Sequence, residues 1–347
     1  MPGVLDLTWA VGVGIDQQPI YDSFLGDLPM LLIAGGSGMG KSASIGSMIV
    51  QLCAKNEAGT ALEVILGDPK NELIRFKSLP HVTRFVDMQT PGESHYQVFA
   101  DLLAELDVEM ERRYEYFNTL PGMPQKLSEA RAVLPEGVKL PAILCVLEEV
   151  ADILAAPPSG ARAERGDWER CVVLVARLCR KARAAGIFLV LATQRPTKEA
   201  VGSAAITGQC RRVGLGCDGL MASLIIIGQP GLEDISTPGR GKVTSGKAYR
   251  DFRGFYFRGP DDEGMHGVGD LQAAVNELSI KVEGAPPRVF TTAGHAGHLT
   301  PPTIPDGIWV KCHRDHRGAL QDASPSPSPE PTTSAHPAHR GRLRQGH

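Results

Sequence analysis

The stretch GGSGMGKS, Gly35–Ser42, decides the fold that the sequence predicts. A glycine, four further residues and then Gly-Lys-Ser form a phosphate-binding loop when a strand precedes them and a helix follows. The apolar run MLLIA comes directly before this stretch, and Ile45 and Met48 after it fall on one helical stripe. An ordinary glycine-rich turn gives no reason for the Lys-Ser pair. We therefore predict nucleotide binding by all eight residues: Gly35, Gly36, Ser37, Gly38, Met39, Gly40, Lys41 and Ser42.

The residue types in this loop follow from its chemistry. Glycines let the backbone curl so that its N–H groups point at phosphate oxygens, and the helix N-terminus adds its positive dipole end. In such loops the lysine, here Lys41, contacts the β- and γ-phosphates, and the hydroxyl of Ser42 binds Mg²⁺. The predicted ligands are therefore ATP and Mg²⁺.

Two acids follow a second apolar run, AILCVL, Ala142–Leu147. We expect Glu148 to hold Mg²⁺ through water and Glu149 to orient and deprotonate the water that attacks the γ-phosphate. A solvated pair of acids at a strand end is the competing interpretation. Gln194, in ATQRP after the run IFLVLA, is the candidate sensor of the phosphate, although strands commonly end in polar residues without any such role.

Composition limits the class of protein. The chain has 347 residues and a formal net charge of -3, so no global basic field attracts it to nucleic acid, and DNA binding would need a local basic surface. Seven scattered cysteines without a CxxC pair indicate a reducing compartment, and the Cys312–His316 cluster lacks the partners that zinc requires. No apolar run approaches the ~20 residues that span a bilayer. We expect a cytoplasmic protein with no membrane segment of its own.

Short apolar runs alternate with helix-like segments, which predicts an α/β fold with a mainly parallel central sheet flanked by helices. The predicted strands are Met30–Ala34, Leu62–Leu66, Ile143–Leu147, Ile187–Ala192 and Val213–Cys217. The predicted helices are Ser42–Ala54, Asp101–Asn118 and Asp167–Ala185, and the predicted loops are Pro121–Pro141 and Ala155–Gly166. The predicted domains are 1–270 for the ATPase, 271–323 for an irregular C-terminal extension and 324–347 for a disordered tail rich in Pro, Ser, His and Arg.

Several stretches together resemble the motor domain of the FtsK/SpoIIIE family of DNA translocases. They are MLLIAGGSGMGKS, VILGDPKNEL, MERRYEYF, LCVLEEVADIL, ARLCRKARAAGIFLVLATQRP, GQPGLEDI and GRGK, spread over about Val11–Phe257. The resemblance implies a RecA-like P-loop ATPase that assembles as a homo-hexameric ring around double-stranded DNA without sequence preference. It also implies an arginine finger lent to the neighbouring subunit, for which Arg183 is the first candidate and Arg180 and Arg195 are the next.

Two positions depart from the family pattern. Glu148 stands where the family usually has Asp, which puts the rate of hydrolysis in question, and Leu224 stands where many members carry Arg. The lack of preceding membrane segments leads us to expect a motor that a membrane-anchored partner recruits.

Three functions remain open from the sequence. The first is ATP-driven translocation of duplex DNA, in plasmid transfer or in a phage or integrative element of an actinobacterium. The second is a type VII secretion-like ATPase that acts on protein, although a single ATPase domain in 347 residues argues against it. The third is a nucleotide-binding adaptor that does not hydrolyse ATP, which the unusual Glu148 suggests.

Overall fold

The structure is a computed structural model that describes residues 5–87, 94–245, 248–255, 257–258 and 269–280. All of these belong to one unit, Met1–Thr303. The predicted tail 324–347, the predicted extension beyond residue 280 and the Cys312–His316 cluster lie outside the described residues.

Twelve strands form two sheets in this described part of the chain. They are β1 Thr8–Gly14, β2 Pro19–Ser23, β3 Met30–Ala34, β4 Leu62–Asp68, β5 Val82–Asp87, β6 Ala142–Leu147, β7 Ile187–Thr193, β8 Cys210–Leu215, β9 Arg240–Ser245, β10 Ala248–Gly254, β11 Phe257–Arg258 and β12 Gly269–Asp270. The last two pair only with each other, in parallel.

The other ten strands form the central sheet in the order β2-β1-β10-β9-β8-β3-β7-β6-β4-β5. The strands from β8 to β5 in this order are parallel to one another. The strands β9, β10, β1 and β2 extend the sheet in antiparallel pairs. The prediction of an α/β fold with a mainly parallel sheet is confirmed.

The pattern of burial explains why the parallel strands could be found in the sequence. Every residue of β3, β6 and β7 is buried, as expected for strands with helices on both faces. Because these strands are parallel, their carboxyl ends meet at one edge of the sheet, which we call the carboxyl edge. The opposite edge, where these strands begin, is called the amino edge below.

The helices cover both faces of this sheet. They are α1 Lys41–Lys55, α2 His95–Thr119, α3 Leu127–Ala132, α4 Val150–Leu154, α5 Arg162–Lys181, α6 Lys198–Val201, α7 Ala204–Thr207, α8 Leu220–Ile227 and α9 Leu271–Ile280, with a 3-10 helix at Ile74–Phe76. The main core lies between α2, α5 and the sheet, where residues such as Leu103, Leu106 and Val175 are fully buried. Each such leucine contributes roughly 1.5–3 kcal/mol through burial.

Strand β8 differs from the predicted Val213–Cys217, since it begins at Cys210 and ends at Leu215. The apolar criterion missed its start because Arg211, although charged, is buried in an ion pair of 2.8 Å with Asp22. The predicted end was wrong because Gly216 leaves the strand and accepts a hydrogen bond from the phosphate loop.

Both long predicted loops contain helical residues. Helix α5 begins at Arg162 and passes through Gly166, a position that costs only about 1 kcal/mol relative to alanine. Trp168 ties this end of α5 to the rest of the domain, since its indole N–H donates to the Leu154 carbonyl at 2.9 Å. Helix α3 lies within the predicted loop Pro121–Pro141, and the Leu127 side chain at its start is buried.

The ends of the predicted segments also shift. Helix α2 starts at His95 rather than Asp101, and α5 ends at Lys181 rather than Ala185. Helix α9 directly follows strand β12 and lies within the segment predicted as an irregular extension. None of the helices described here has the length and apolar character needed to cross a membrane.

Candidate active site

The phosphate loop connects β3 to α1 at the carboxyl edge, as the sequence predicts. Its first two amides are bonded to the ends of the neighbouring strands, because the Gly35 N–H donates to the Thr193 carbonyl of β7 at 3.3 Å and the Gly36 N–H to the carbonyl of Gly216, just after β8, at 2.7 Å. Gly38 and Gly40 then adopt φ values of 75° and 94°, which favour glycine because it lacks a Cβ. The loop is therefore anchored at its start and curled toward the beginning of α1.

The late motif GRGK closes over this loop. The Gly239 N–H donates to the Met39 carbonyl at 3.0 Å, and the Gly239 carbonyl accepts from the Gly254 N–H at 2.7 Å. A Cβ at Gly40 would lie 3.2 Å from the Gly239 nitrogen, which is tighter than an ordinary contact, and the φ of 94° also disfavours a side chain at this position. The motif thus supports the phosphate loop from the antiparallel side of the sheet.

Glu148 follows β6 and points into the phosphate loop. Its side chain is 2% exposed, and its Oε2 forms an ion pair with the ammonium of Lys41, which is also buried. Burial raises the pKa of Glu148, and the charge of Lys41 only partly opposes this. The other oxygen, Oε1, is buried without a hydrogen-bond partner in the described structure. This free acceptor is suited to a metal ion or to a water molecule held by one.

Glu149 is held in a strained conformation. Its φ and ψ are both 47°, in the left-handed region that non-glycine residues rarely adopt. Three donors fix its carboxylate: the Lys70 ammonium at 2.7 Å, the Thr193 hydroxyl at 2.8 Å and the Gln194 backbone N–H at 3.0 Å. Burial alone would raise the pKa of Glu149, but these donors outweigh it and lower the pKa. These donors therefore favour the ionised form of the Glu149 carboxylate, and backbone strain of this kind is typical of functional sites.

Glu72 belongs to the site, although sequence reasoning did not select it. The Ser42 hydroxyl donates to its Oε2, and the Gln194 side-chain amide donates to its Oε1 at 3.3 Å. The turn after β4 brings Glu72 here, because the Asp68 carboxylate accepts from the backbone N–H groups of Lys70 at 3.0 Å and Leu73 at 2.6 Å. The Asp-Pro-Lys turn at the end of a strand was the only sequence feature that pointed to this position.

The structure therefore brings most of the predicted site residues together. The phosphate loop, Glu148, Glu149 and Gln194 meet at the carboxyl edge, joined by Lys70, Glu72 and Thr193, which the sequence analysis missed. Arg183 does not join them. It lies between α5 and the start of β7, at the amino edge, where its guanidinium donates at 3.5 Å to the Leu25 and Asp27 carbonyls.

The side chains present fit a magnesium nucleotide. Mg²⁺ in such sites is bound by one or two protein oxygens together with phosphates and water, rather than by a cage of side chains. In the described part of the chain, no three His, Cys, Asp or Glu residues are grouped so that they could hold a metal ion alone. The Ser42 hydroxyl and the unpartnered Oε1 of Glu148 supply the few oxygens that a magnesium nucleotide needs.

Glu72→Ala should weaken the affinity for Mg²⁺ more than the binding of nucleotide. Because Glu72 accepts a hydrogen bond from the Ser42 hydroxyl, it turns the serine lone pairs toward the metal position. Loss of such an outer partner typically lowers metal affinity about 10–100-fold. Turnover measured against Mg²⁺ at fixed ATP should show a higher half-saturating Mg²⁺ concentration, with Glu57→Ala at an exposed position as the matched control. An unchanged half-saturating Mg²⁺ concentration would show that Glu72 does not orient Ser42.

The fold and this geometry define a P-loop nucleotide-binding domain. Residues 5–121 match the model of the FtsK/SpoIIIE family. The chain is 32% identical over 249 residues to DNA translocase FtsK 2 of Neisseria meningitidis, covering 66% of this chain and 23% of that protein. It is 31% identical over 272 residues to DNA translocase FtsK of Mycobacterium tuberculosis, covering 74% of this chain and 30% of that protein. The chain spans about a quarter of the length of the curated relatives it matches.

Solved structures share the fold. The cytoplasmic domain of the type VII secretion ATPase EccC of Thermomonospora curvata superposes with a TM-score of 0.65 at 22% identity, covering 80% of this chain and 31% of that chain. The pCW3 conjugation coupling protein TcpA, solved with ATPγS, superposes with a TM-score of 0.62 at 20% identity, covering 79% of this chain and 70% of that chain. At these identities the likeness shows the fold alone.

Proposed function

We propose that the chain is a motor of the FtsK/SpoIIIE family that hydrolyses ATP to move double-stranded DNA. The observation that carries this proposal is the meeting of Lys41, Glu148 and Glu149 at the carboxyl edge, each held by a partner that its role requires. The 31–32% identity to DNA translocases supports DNA, rather than protein, as the substrate.

In this mechanism ATP exchanges the partners within the site. Lys41 leaves Glu148 for the β- and γ-phosphates, which frees Glu148 to face the magnesium position beside Ser42. Mg²⁺, when bound with ATP, would neutralise charge on the phosphate oxygens. Glu149 orients the attacking water and accepts its proton. Gln194 reaches both Glu149, through its backbone N–H, and Glu72, through its side chain, and so links the base to the metal side of the site.

The proposal includes a ring of identical subunits, with a hexamer as the expected state. Arg183 lies at the amino edge, away from the phosphate loop of its own subunit, so it would act on the nucleotide of a neighbour. An arginine supplied in this way stabilises the charge that develops on the γ-phosphoryl group and couples hydrolysis to assembly. Arg195, in contrast, follows β7 at the carboxyl edge, where its backbone N–H donates to the Thr193 hydroxyl at 3.1 Å.

Conjugative transfer of a plasmid or another mobile element of an actinobacterium is the proposed setting, with a cytoplasmic motor recruited by a membrane-anchored partner. The likeness in fold to a conjugation coupling protein supports it. The likeness in fold to EccC keeps protein secretion as the second candidate.

Steady-state ATPase activity with and without duplex DNA tests the proposal. We expect duplex DNA of any sequence to stimulate turnover severalfold, and this stimulation to fall steeply between about 50 and 200 mM salt because bound phosphates release counterions. The net charge of -3 makes this a sharp test, because attraction must come from a local surface. Turnover indifferent to DNA would favour the secretion-like alternative, and absence of turnover would favour a non-hydrolysing adaptor.

A further inference from the structure

Strands β9 and β10 place two arginines directly opposite each other. Arg240 on β9 and Arg253 on β10 are partners in the antiparallel register, so their side chains leave the same face of the sheet, and both residues are exposed. The Cβ atoms of such a pair lie about 4.5–5.5 Å apart, and like charges at this spacing destabilise the sheet. This arrangement, which we call the arginine pair, is therefore unfavourable unless an anion lies between the two guanidinium groups.

No acid forms an ion pair with the arginine pair within the part of the chain that the structure describes. Other cations of the same two strands do have acidic partners there. Lys242 forms an ion pair with Asp251 at 2.6 Å in the next row of the same sheet face, and Arg250 forms one with Asp16 at 3.5 Å. The arginine pair is thus a local concentration of positive charge on a chain whose formal net charge is -3.

The backbone that carries the arginine pair is fixed and is joined to the phosphate loop. The Gly254 N–H donates to the Gly239 carbonyl at 2.7 Å, and the Gly239 N–H donates to the Met39 carbonyl of the loop at 3.0 Å. On the other side β1 lies so close that a Cβ at Gly12 would be 2.2 Å from the carbonyl oxygen of Arg253. Side chains on paired strands such as these are positioned more precisely than side chains on loops.

A phosphodiester group is the anion that suits the arginine pair. A guanidinium group presents its N–H donors in a fork that matches phosphate oxygens, and it keeps its charge at neutral pH. Two such groups from neighbouring strands can hold one phosphate, whose charge offsets their repulsion. The phosphates of the nucleotide already have the phosphate loop and Lys41, whereas the exposed sheet face is open to a polymer that reaches the surface of the protein.

We propose that the arginine pair binds a backbone phosphate of duplex DNA. It supplies the local basic surface that a chain of net negative charge needs, and a contact to phosphate carries no sequence preference. The hydrogen bonds from Gly254 to Gly239 and from Gly239 to Met39 connect the bound phosphate to the nucleotide site. This inference rests on the proposed function, because it names the surface through which that function contacts DNA.

Arg240→Gln combined with Arg253→Gln tests the site. Binding of a short labelled duplex of mixed sequence is followed by fluorescence anisotropy in the presence of ATPγS, between about 50 and 200 mM salt. Loss of one phosphate contact should reduce the slope of log affinity against log salt by about one, and should weaken binding roughly tenfold at the low-salt end. Because the substitutions remove a repulsion, the melting temperature without DNA should not fall.

Two further variants show whether charge at this place is the cause. Lysine at both positions keeps the two charges, so Arg240→Lys with Arg253→Lys should retain the wild-type slope. Arg162→Gln with Arg165→Gln removes the same net charge from exposed positions on α5 and is the matched control, which should also retain it.

Equal slopes for the wild type and the double glutamine variant would overturn the proposal, as would an equal loss in the α5 control. A loss of affinity for ATPγS with an unchanged DNA slope would assign the arginine pair to the nucleotide and would overturn it as well. If the wild-type chain binds no duplex, the proposed function fails together with the site. If the wild-type chain binds duplex and the variant binds it equally well, the site alone fails.

Discussion

Replacing Lys41 with alanine is expected to reduce ATP turnover by about 10³-fold, the loss typical of removing a preorganised charge from a developing negative centre. Lys41 is the cation at the start of α1, and no other cation contacts Glu148 in the described structure. The same change leaves the carboxylate of Glu148 buried without a partner, which typically costs about 3–5 kcal/mol of stability. The turnover rate and the melting temperature should therefore both fall.

The two effects can be separated by a second substitution. In Lys41→Met with Glu148→Gln the buried Lys41–Glu148 ion pair is replaced by two neutral side chains, so we expect stability to return toward that of the wild type while turnover stays lost. Lys55→Ala, at the exposed end of the same helix, is the matched control and should change neither. Near-normal hydrolysis by Lys41→Ala would show that nucleotide is not bound at this loop.

Glu149→Gln should bind ATP normally and hydrolyse it about 10²–10⁴-fold more slowly, because an amide cannot accept the proton of the attacking water. The geometry predicts that the variant folds. A glutamine oxygen still accepts from the Thr193 hydroxyl and the Gln194 N–H, and only the ion pair with Lys70 is lost. A nucleotide-binding assay tests whether ATP still binds, and the single-turnover rate tests whether hydrolysis is slowed. Glu129→Gln, at a half-exposed position, is the control. Hydrolysis at a near wild-type rate would rule out Glu149 as the base.

Mixing Glu149→Gln with Arg183→Ala tests whether the arginine acts between subunits. Each variant alone should be inactive, but in mixed rings an intact Arg183 can face an intact Glu149, so some activity should return. Rates across mixing ratios should rise and fall with a maximum at an intermediate ratio. Inactivity at every ratio, together with a wild-type rate per subunit that is independent of concentration, would contradict the ring.

The parallel half of the sheet could be predicted because burial on both faces leaves continuous apolar runs, and β3 was predicted to the residue. The antiparallel strands were not predicted. Strand β10 is mostly exposed and β1 alternates, so neither gives such a run. Strand β8 was displaced because a buried Arg211 breaks its apolar pattern and is balanced only by Asp22, which is distant in sequence.

The grouping of side chains at the candidate site was predictable where residue type and position in the chain point to the same place. The phosphate loop and the acids after β6 can be identified in the sequence from their residue types and from the apolar strand that precedes each of them. Lys70 and Glu72 do not, because their meeting with Glu149 and Ser42 depends on β4 lying next to β6, and one sequence does not reveal strand order. The position of Arg183 at the amino edge likewise could not be predicted, because it depends on where β7 begins in the folded sheet.

The most direct test of the central claim is movement along DNA. A short third strand is bound to a linear duplex, and its ATP-dependent displacement by the protein is followed in time. We expect displacement by the wild-type chain with ATP, none with ATPγS, and none by Glu149→Gln. If the wild-type chain hydrolyses ATP in the presence of duplex DNA but never displaces the third strand, the chain is a DNA-responsive ATPase and not a translocating motor.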